Sequence, residues 1–191
     1  ECAAHGICFI GPTPLQMRAF GLKHTARELA LQNQMPLLPG TDLLKDMGDA
    51  LGQAIHIGYP VMLKSTAGGG GIGMRLCWNS DELSGAYESV KYLAQNNFKD
   101  AGLFLEKYVE NARHIEVQIF GDGKGGVVAL GERDCSMQRG NQKVIEETPA
   151  PDLTPRLRQA LLDAPVRLGK AVNYQPAGTV QYIFDATGGV F

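Results

Sequence analysis

The chain has 191 residues, 18 Lys and Arg against 20 Asp and Glu, and a formal net charge of −2, so it carries no basic block with which to hold nucleic acid or an anionic membrane. No apolar run reaches the roughly 18 residues of a membrane span and no leader pattern opens the chain, which points to a cytoplasmic protein. Cys2, Cys8, Cys77 and Cys135 lack C-x-x-C spacing and lie in or beside apolar runs, which suits four reduced, mostly buried thiols better than disulfides or a zinc site.

In chain order, residues 6–11 predict a short buried strand. Thr13, Pro14 and Gln16 then supply an N-cap, a proline at N1 and a capping-box glutamine for a helix to about Asn33. Lys23 sits on that helix near Phe20, Leu22 and Ala26, where a lysine can lay its stem over apolar neighbours. Residues 35–40, with two prolines and a glycine, break the helix and lead into a second unit. That unit reads as a helix over 42–57, a strand over 59–63, a strand over 74–78, a helix capped by Asn79 or Ser80 and running to about Asn96, and a strand over 103–105. An α+β lobe of about 70 residues results, within the size of a minimal domain.

The two strands in the middle of that lobe are joined by Lys64-Ser65-Thr66-Ala67-Gly68-Gly69-Gly70-Gly71-Ile72-Gly73-Met74. A tip so poor in side chains can lay backbone N–H groups against an anion, with Lys64 as the fixed positive charge. Gly68, Gly70 and Gly73 satisfy G-x-G-x-x-G literally, but no helix follows to aim its N-terminus at a pyrophosphate. A Walker A loop would place its lysine after the glycines. Flanking strands and a strand-end lysine are not features of a flexible linker.

Residues 106–109 leave the lobe. Residues 115–120 alternate strictly and, with a Gly121-Asp122-Gly123 turn and residues 126–131, form an antiparallel hairpin. The polar run Glu132 to Arg139 reads as a charged loop beside the core, a common place for a site. Lys143 and the pair Glu146-Glu147 follow, then a helix capped by Thr154-Pro155 to about Asn173 and a strand over 178–184. The last residues read as a turn entering a further strand, as in a piece of a longer protein.

Three stretches together resemble the biotin carboxylase component of biotin-dependent carboxylases: residues 64–74, the run Glu106-Lys107-Tyr108-Val109 to Gln118 that contains His114-Ile115-Glu116, and Glu132-Arg133-Asp134-Cys135-Ser136-Met137-Gln138-Arg139. The Ser65-Thr66-Ala67 lead-in and Ile72 look most like urea carboxylase, the first half of urea amidolyase. The resemblance covers essentially the whole chain. It implies an α+β, ATP-grasp fold with a small lid lobe and part of a larger β-rich lobe, truncated at the C-terminus. Residues 1–37 would end an N-terminal lobe and its linking helix, 38–108 form the lid, and 109–191 begin the C-terminal ATP-grasp lobe.

The resemblance also implies an ATP-dependent ligase. ATP phosphorylates bicarbonate to carboxyphosphate, the carboxyl group passes to biotin on a carrier domain, and in urea carboxylase it reaches urea on a carboxyltransferase domain, forming allophanate. ATP, Mg²⁺ or Mn²⁺, and biotin are the implied cofactors, and the carrier and carboxyltransferase domains belong to the same longer chain. By matching position, Lys23 and Lys64 hold ATP phosphates, Gly70 and Gly71 close over them beside Met74, and Glu106, Lys107, Tyr108 and Val109 meet adenine. His114 and Gln138 are nucleotide-side polar contacts, Asn141 stands where many relatives have a histidine, and Lys143, with Arg139 nearby, holds bicarbonate. Gln181 occupies a position where the family has a metal carboxylate, and it offers oxygen without charge. The same implied half-reaction serves acyl-CoA and pyruvate carboxylases. A nucleotide-binding fragment without turnover of its own is the reading outside enzymes, and the 191 residues alone are expected to be inactive.

Overall fold

The structure is a computed structural model that describes residues 1–21, 23–66, 73–98, 102–140 and 142–187. After a 3₁₀ turn at Cys2–His5 come α1 (Pro14–Gly21) and α2 (Lys23–Gln32). They are followed by α3 (Met47–Ile57), β1 (Val61–Ser65), β2 (Met74–Cys77), α4 (Ser80–Phe98) and β3 (Leu103–Lys107). The rest of the chain forms β4 (Ala112–Gly121), β5 (Val127–Arg139), β6 (Gln142–Glu147), α5 (Pro155–Ala171) and β7 (Ala177–Asp185).

The expected capping box forms. The Thr13 N–H donates to Gln16 Oε1 at 3.0 Å while the Gln16 N–H donates to Thr13 Oγ1 at 3.2 Å, so two orphan donors are satisfied reciprocally. The Gln16 amide also donates to the carbonyls of Val172 and Asn173 at 3.3 and 2.9 Å, which fastens α1 to the end of α5. Asn79 is the cap of α4, accepting from the Glu82 N–H at 2.9 Å.

Two antiparallel sheets carry two cores. The first has the order β2-β1-β3, and the alternation of β1 buries Val61, Leu63 and Ser65, the first two meeting Ala50 and Ala54 of α3 and Leu83, Tyr87 and Val90 of α4. The second has the order β6-β5-β4-β7. Ile115, Val117 and Ile119 of β4 pack with Leu161, Ala164 and Leu168 of α5 and with Tyr182 and Phe184 of β7. Because successive strand residues point to opposite faces, this packing turns His114, Glu116 and Gln118 to the other side of the sheet.

Several expectations are corrected. Residues 6–11 form no strand, and Ile7, Phe9 and Ile10 are exposed; among the described residues no strand lies beside them, and an unpaired segment has no ladder to join. The first long helix comes as two pieces, α1 and α2. The next helix starts at Met47, not near residue 42, because Asp46 caps it by accepting from the Asp49 N–H at 2.8 Å. The N–H groups of Thr41 and Leu44 are instead bonded to the Leu105 and Leu103 carbonyls of β3. β1 begins just past Pro60, which has no N–H for a ladder.

The polar run 132–139 is strand rather than loop, and β6 is an additional strand. Its charges are matched across neighbouring elements: Glu132 with Arg158, Asp134 with Arg113 and Arg133 with Glu116. Of the four free cysteines only Cys77 and Cys135 are buried; Cys8 lies in the unpaired N-terminal segment.

Leu63 is fully buried at the centre of the first sheet. Leu63→Ala should lower stability by about 3 kcal/mol in denaturant unfolding, from lost transfer energy plus a cavity. A change below about 1 kcal/mol would show that this layer is loosely packed or readily collapses.

Candidate functional site

The polar face of the second sheet is built around Glu116, which is 2% exposed. A carboxylate placed there is costly unless it is neutralised and hydrogen-bonded. Arg133 lies directly opposite on β5 and donates to Glu116 Oε1 from Nε at 2.8 Å and Nη2 at 2.5 Å. Lys143 Nζ of β6 is bonded to Glu116 Oε2. Arg133 also reaches Glu146 Oε2 at 3.2 Å and Gln118 Oε1 at 3.2 Å. Burial pushes the Glu116 carboxyl up, but the hydrogen bonds and charges of Lys143 and Arg133 outweigh it and hold the group below the ordinary carboxylate range.

His114 and Cys135 complete this face. Burial, and after it the charge of Lys143, pushes the His114 imidazole below its ordinary value, so the ring is neutral at pH 7. Its Nδ1 is buried without a hydrogen-bond partner, while the Gln181 side chain acts in the opposite direction to burial and favours the charged ring. Gln181 stands on β7 directly opposite Glu116. Cys135 is buried, and burial followed by the Glu116 charge pushes its thiol up to about 11.

A second charged group lies on the first sheet. Lys64 Nζ is bonded to Glu106 Oε2, and Arg27 Nη1 approaches Glu106 Oε1 at 3.4 Å. The Lys64 and Glu106 side chains are 24% and 22% exposed, so the pair contributes little to stability and keeps the ammonium near solvent. Met74 faces Lys64 across the β1–β2 pair. Gly73, at φ +75°, turns the chain into β2 in a conformation that favours glycine.

The sequence-selected residues thus fall into separate groups. His114, Lys143 and Gln181 gather around Glu116. Lys64, Glu106 and Met74 sit together on the first sheet. The Lys107 ammonium donates to the carbonyls of Gly58 and Tyr59 at 2.8 and 3.0 Å, a structural role that secures the loop after α3. The N–H groups of Lys107 and Tyr108 donate to Pro39 and Pro60 carbonyls, and Tyr108 packs edge-on against Trp78 with ring centroids 6.3 Å apart. Val109 follows, half-buried.

Gln138 donates to the Cys135 carbonyl at 2.9 Å across an irregular stretch of β5, and Arg139 is exposed opposite Gln142. Lys23 opens α2, its side chain lying outside what is described, and Gly70, Gly71 and Asn141 lie outside the described residues. Sequence reading missed Glu116, Arg133 and Cys135 as members of the site. Alternation put Glu116 on the face away from the core, but no spacing announces its pairing with a lysine 27 residues later.

Because the folded Glu116 carboxyl sits below its reference value of 4.5, its stabilisation is present above that pH and is lost as pH falls through the lower folded value. Glu116→Gln should therefore be less stable than the parent at pH 7, by roughly 2 kcal/mol since both cations still reach water. That gap should shrink as the pH is taken below 4.5. Denaturant midpoints for both proteins across the acid range provide the check, and a gap that does not change with pH would contradict the ionised assignment.

Residues 23–191 match the family described as the carbamoyl-phosphate synthase L chain, ATP binding domain. The chain is 50% identical over 184 residues to a urea amidolyase of Saccharomyces cerevisiae, covering 96% of this chain and 10% of that protein. It is 48% identical over 191 residues to the chloroplastic biotin carboxylase 2 of Populus trichocarpa, covering 100% of this chain and 36% of that one. Among solved structures it matches the biotin carboxylase domain of Hydrogenobacter thermophilus 2-oxoglutarate carboxylase, in complex with MgADP, ADP and bicarbonate. That match has a TM-score of 0.92 and 43% identity, over 100% of this chain and 42% of that chain.

Proposed function

The chain belongs to the family named for the ATP-binding domain of the carbamoyl-phosphate synthase L chain, and from that membership we propose that it is the ATP-grasp part of a biotin carboxylase, in a urea carboxylase. In this reading residues 1–37 lead into the fold, 38–108 form a lid lobe and 109–191 begin the larger lobe. The γ-phosphoryl group of ATP passes to a bicarbonate oxygen, ADP leaves, and the carboxyphosphate gives up its carboxyl group with release of phosphate. Biotin, on a carrier domain, supplies the nitrogen that receives the carboxyl group, and a carboxyltransferase domain delivers it to urea.

The observation that carries this reading is the common face on which Lys143, Arg133, His114 and Gln181 surround Glu116, in a chain whose relatives include biotin carboxylases. Lys143 is the bicarbonate-holding residue. Its ammonium has three donors, and Glu116 engages one, so the carboxylate fixes the head group while further N–H bonds remain for a small anion. Arg139 assists at the end of β5. Lys64, with Lys23, faces the phosphates as a point charge, Glu106 to Val109 border adenine, and Gln138 and His114 bound the nucleotide side.

The described residues do not make a fitting site for Mg²⁺. Gln181 brings no negative charge, and the adjacent carboxylate, Glu116, already holds two cations. Mg²⁺ normally takes one or two carboxylates along with phosphate oxygens. Among the described residues no helix is long and apolar enough to cross a membrane.

A second reading differs in the final acceptor. The 43% identity to the biotin carboxylase domain of a 2-oxoglutarate carboxylase, not far below that to the urea amidolyase, supports a keto acid, or with it acyl-CoA, as the alternative to urea. On the protein that carries these residues, ADP release from ATP should be stimulated by bicarbonate. Lys143→Met should weaken that stimulation at least about tenfold while leaving ATP affinity nearly intact, the signature of a group that meets one substrate only. Unchanged bicarbonate dependence in Lys143→Met would overturn the role of Lys143. Consumption of urea, and of neither acyl-CoA nor keto acid, would separate the two acceptors.

A further inference from the structure

His114 and Glu116 project from β4 and Cys135 from β5 toward one buried spot, where a ring nitrogen, a carboxylate oxygen and the sulfur all lie within 4.8 Å of one another. We propose that these three residues form a binding site for a borderline-soft divalent cation of the Zn²⁺ class, whose occupancy competes with Lys143 for Glu116.

The donor set is the first support. Imidazole nitrogen, thiolate sulfur and one carboxylate suit Zn²⁺-class ions and do not suit Mg²⁺. Tetrahedral bonds of about 2.0–2.3 Å hold ligand atoms about 3.3–3.8 Å apart, so donors already within 4.8 Å need close by only about 1 Å. Cys135 and Glu116 are both buried, so the spot is largely screened from water.

The second support is independent of the spacing. His114 Nδ1 is buried and has no hydrogen-bond partner, which is unusual for a polar atom so placed. A neutral imidazole carries a lone pair on one of its two nitrogens, and that lone pair is what a metal takes. Gln181 stands on the neighbouring strand opposite Glu116, beside the ring in the place that outer-shell groups of ligating histidines occupy.

The cost falls on Lys143. Arg133 makes two hydrogen bonds to Glu116 Oε1 and Lys143 makes one to Oε2, so an entering ion has its free lone pair on Oε2, and its charge there drives the ammonium toward solvent. The thiol of Cys135, within 4.8 Å of a Glu116 oxygen, gives its proton to water as the metal–sulfur bond forms, and no redox change occurs. The fourth coordination position is left to water. Cys135 belongs to no sequence metal motif, and its partners lie 19 and 21 residues away on the neighbouring strand.

Co²⁺ is the probe, because a thiolate ligand gives it a charge-transfer band in the near ultraviolet. Titration of the folded chain should give that band with one equivalent of Co²⁺, and Zn²⁺ should remove it by displacement. Cys135→Ser should abolish the band, His114→Gln should weaken Co²⁺ binding about tenfold or more, and Lys143→Met should tighten it by removing the competitor. The Gln variant lies outside the apolar core and guards against misfolding of the serine variant. No band in the parent, a band that persists in Cys135→Ser, or Co²⁺ affinity in Lys143→Met no tighter than in the parent would each overturn the proposal. Because nothing in this titration depends on ATP or turnover, its failure is separable from failure of the carboxylase reading.

Discussion

A carboxylate that is 2% exposed must be neutralised where it stands, and the second sheet is arranged around that requirement. Ile115 and Val117 are drawn to the core beneath α5, so the pleat carries Glu116 to the opposite face. There it needs cations on the neighbouring strands. Arg133 meets it because the β4–β5 register sets the two residues opposite one another, and Lys143 meets it from β6, one strand further out. Charge thus reinforces the pairing of a strand, β6, whose side chains are largely exposed and add little apolar burial.

The same logic appears on the first sheet in weaker form. Glu106 is held between Lys64 of β1 and Arg27 of α2, and Arg27 also donates to the Leu38 carbonyl at 2.6 Å. The network ties the leading helix to the lobe that follows it. On the proposed reading both anion-facing lysines are oriented by carboxylates before a ligand arrives, which reduces the rotamer freedom lost on binding. The difference lies in exposure: Glu106 is reached by water, whereas Glu116 is sealed, so the second group is the more rigid of the two.

Local signals were legible in the sequence. The Thr13–Gln16 box, the Asn79 and Thr154 caps and both hairpins rest on side chains that satisfy backbone groups within a few residues, and each forms. The motifs of residues 64–74, 106–118 and 132–139 also carried the family resemblance that the comparisons bear out. What stayed illegible depends on partners far along the chain. The run from Glu132 to Arg139 looked like a loop because both its faces are polar; it is strand because Arg158, Arg113 and Glu116 answer its charges. Residues 6–11 looked like a strand because they are apolar, yet a strand also needs a neighbour. Glu116 gave no signal, since burial of a carboxylate is decided by what stands across the sheet.

Glu116 and Lys143 form one energetic unit, and a double-mutant cycle measures the coupling between them. Unfolding free energies would be measured at pH 7 for the parent, Glu116→Gln, Lys143→Met and the double variant. A coupling energy of about 1–3 kcal/mol is expected, with the double variant less destabilised than the sum of the single ones. Additivity within about 0.5 kcal/mol would mean that the two groups are neighbours without mutual dependence, and would contradict it.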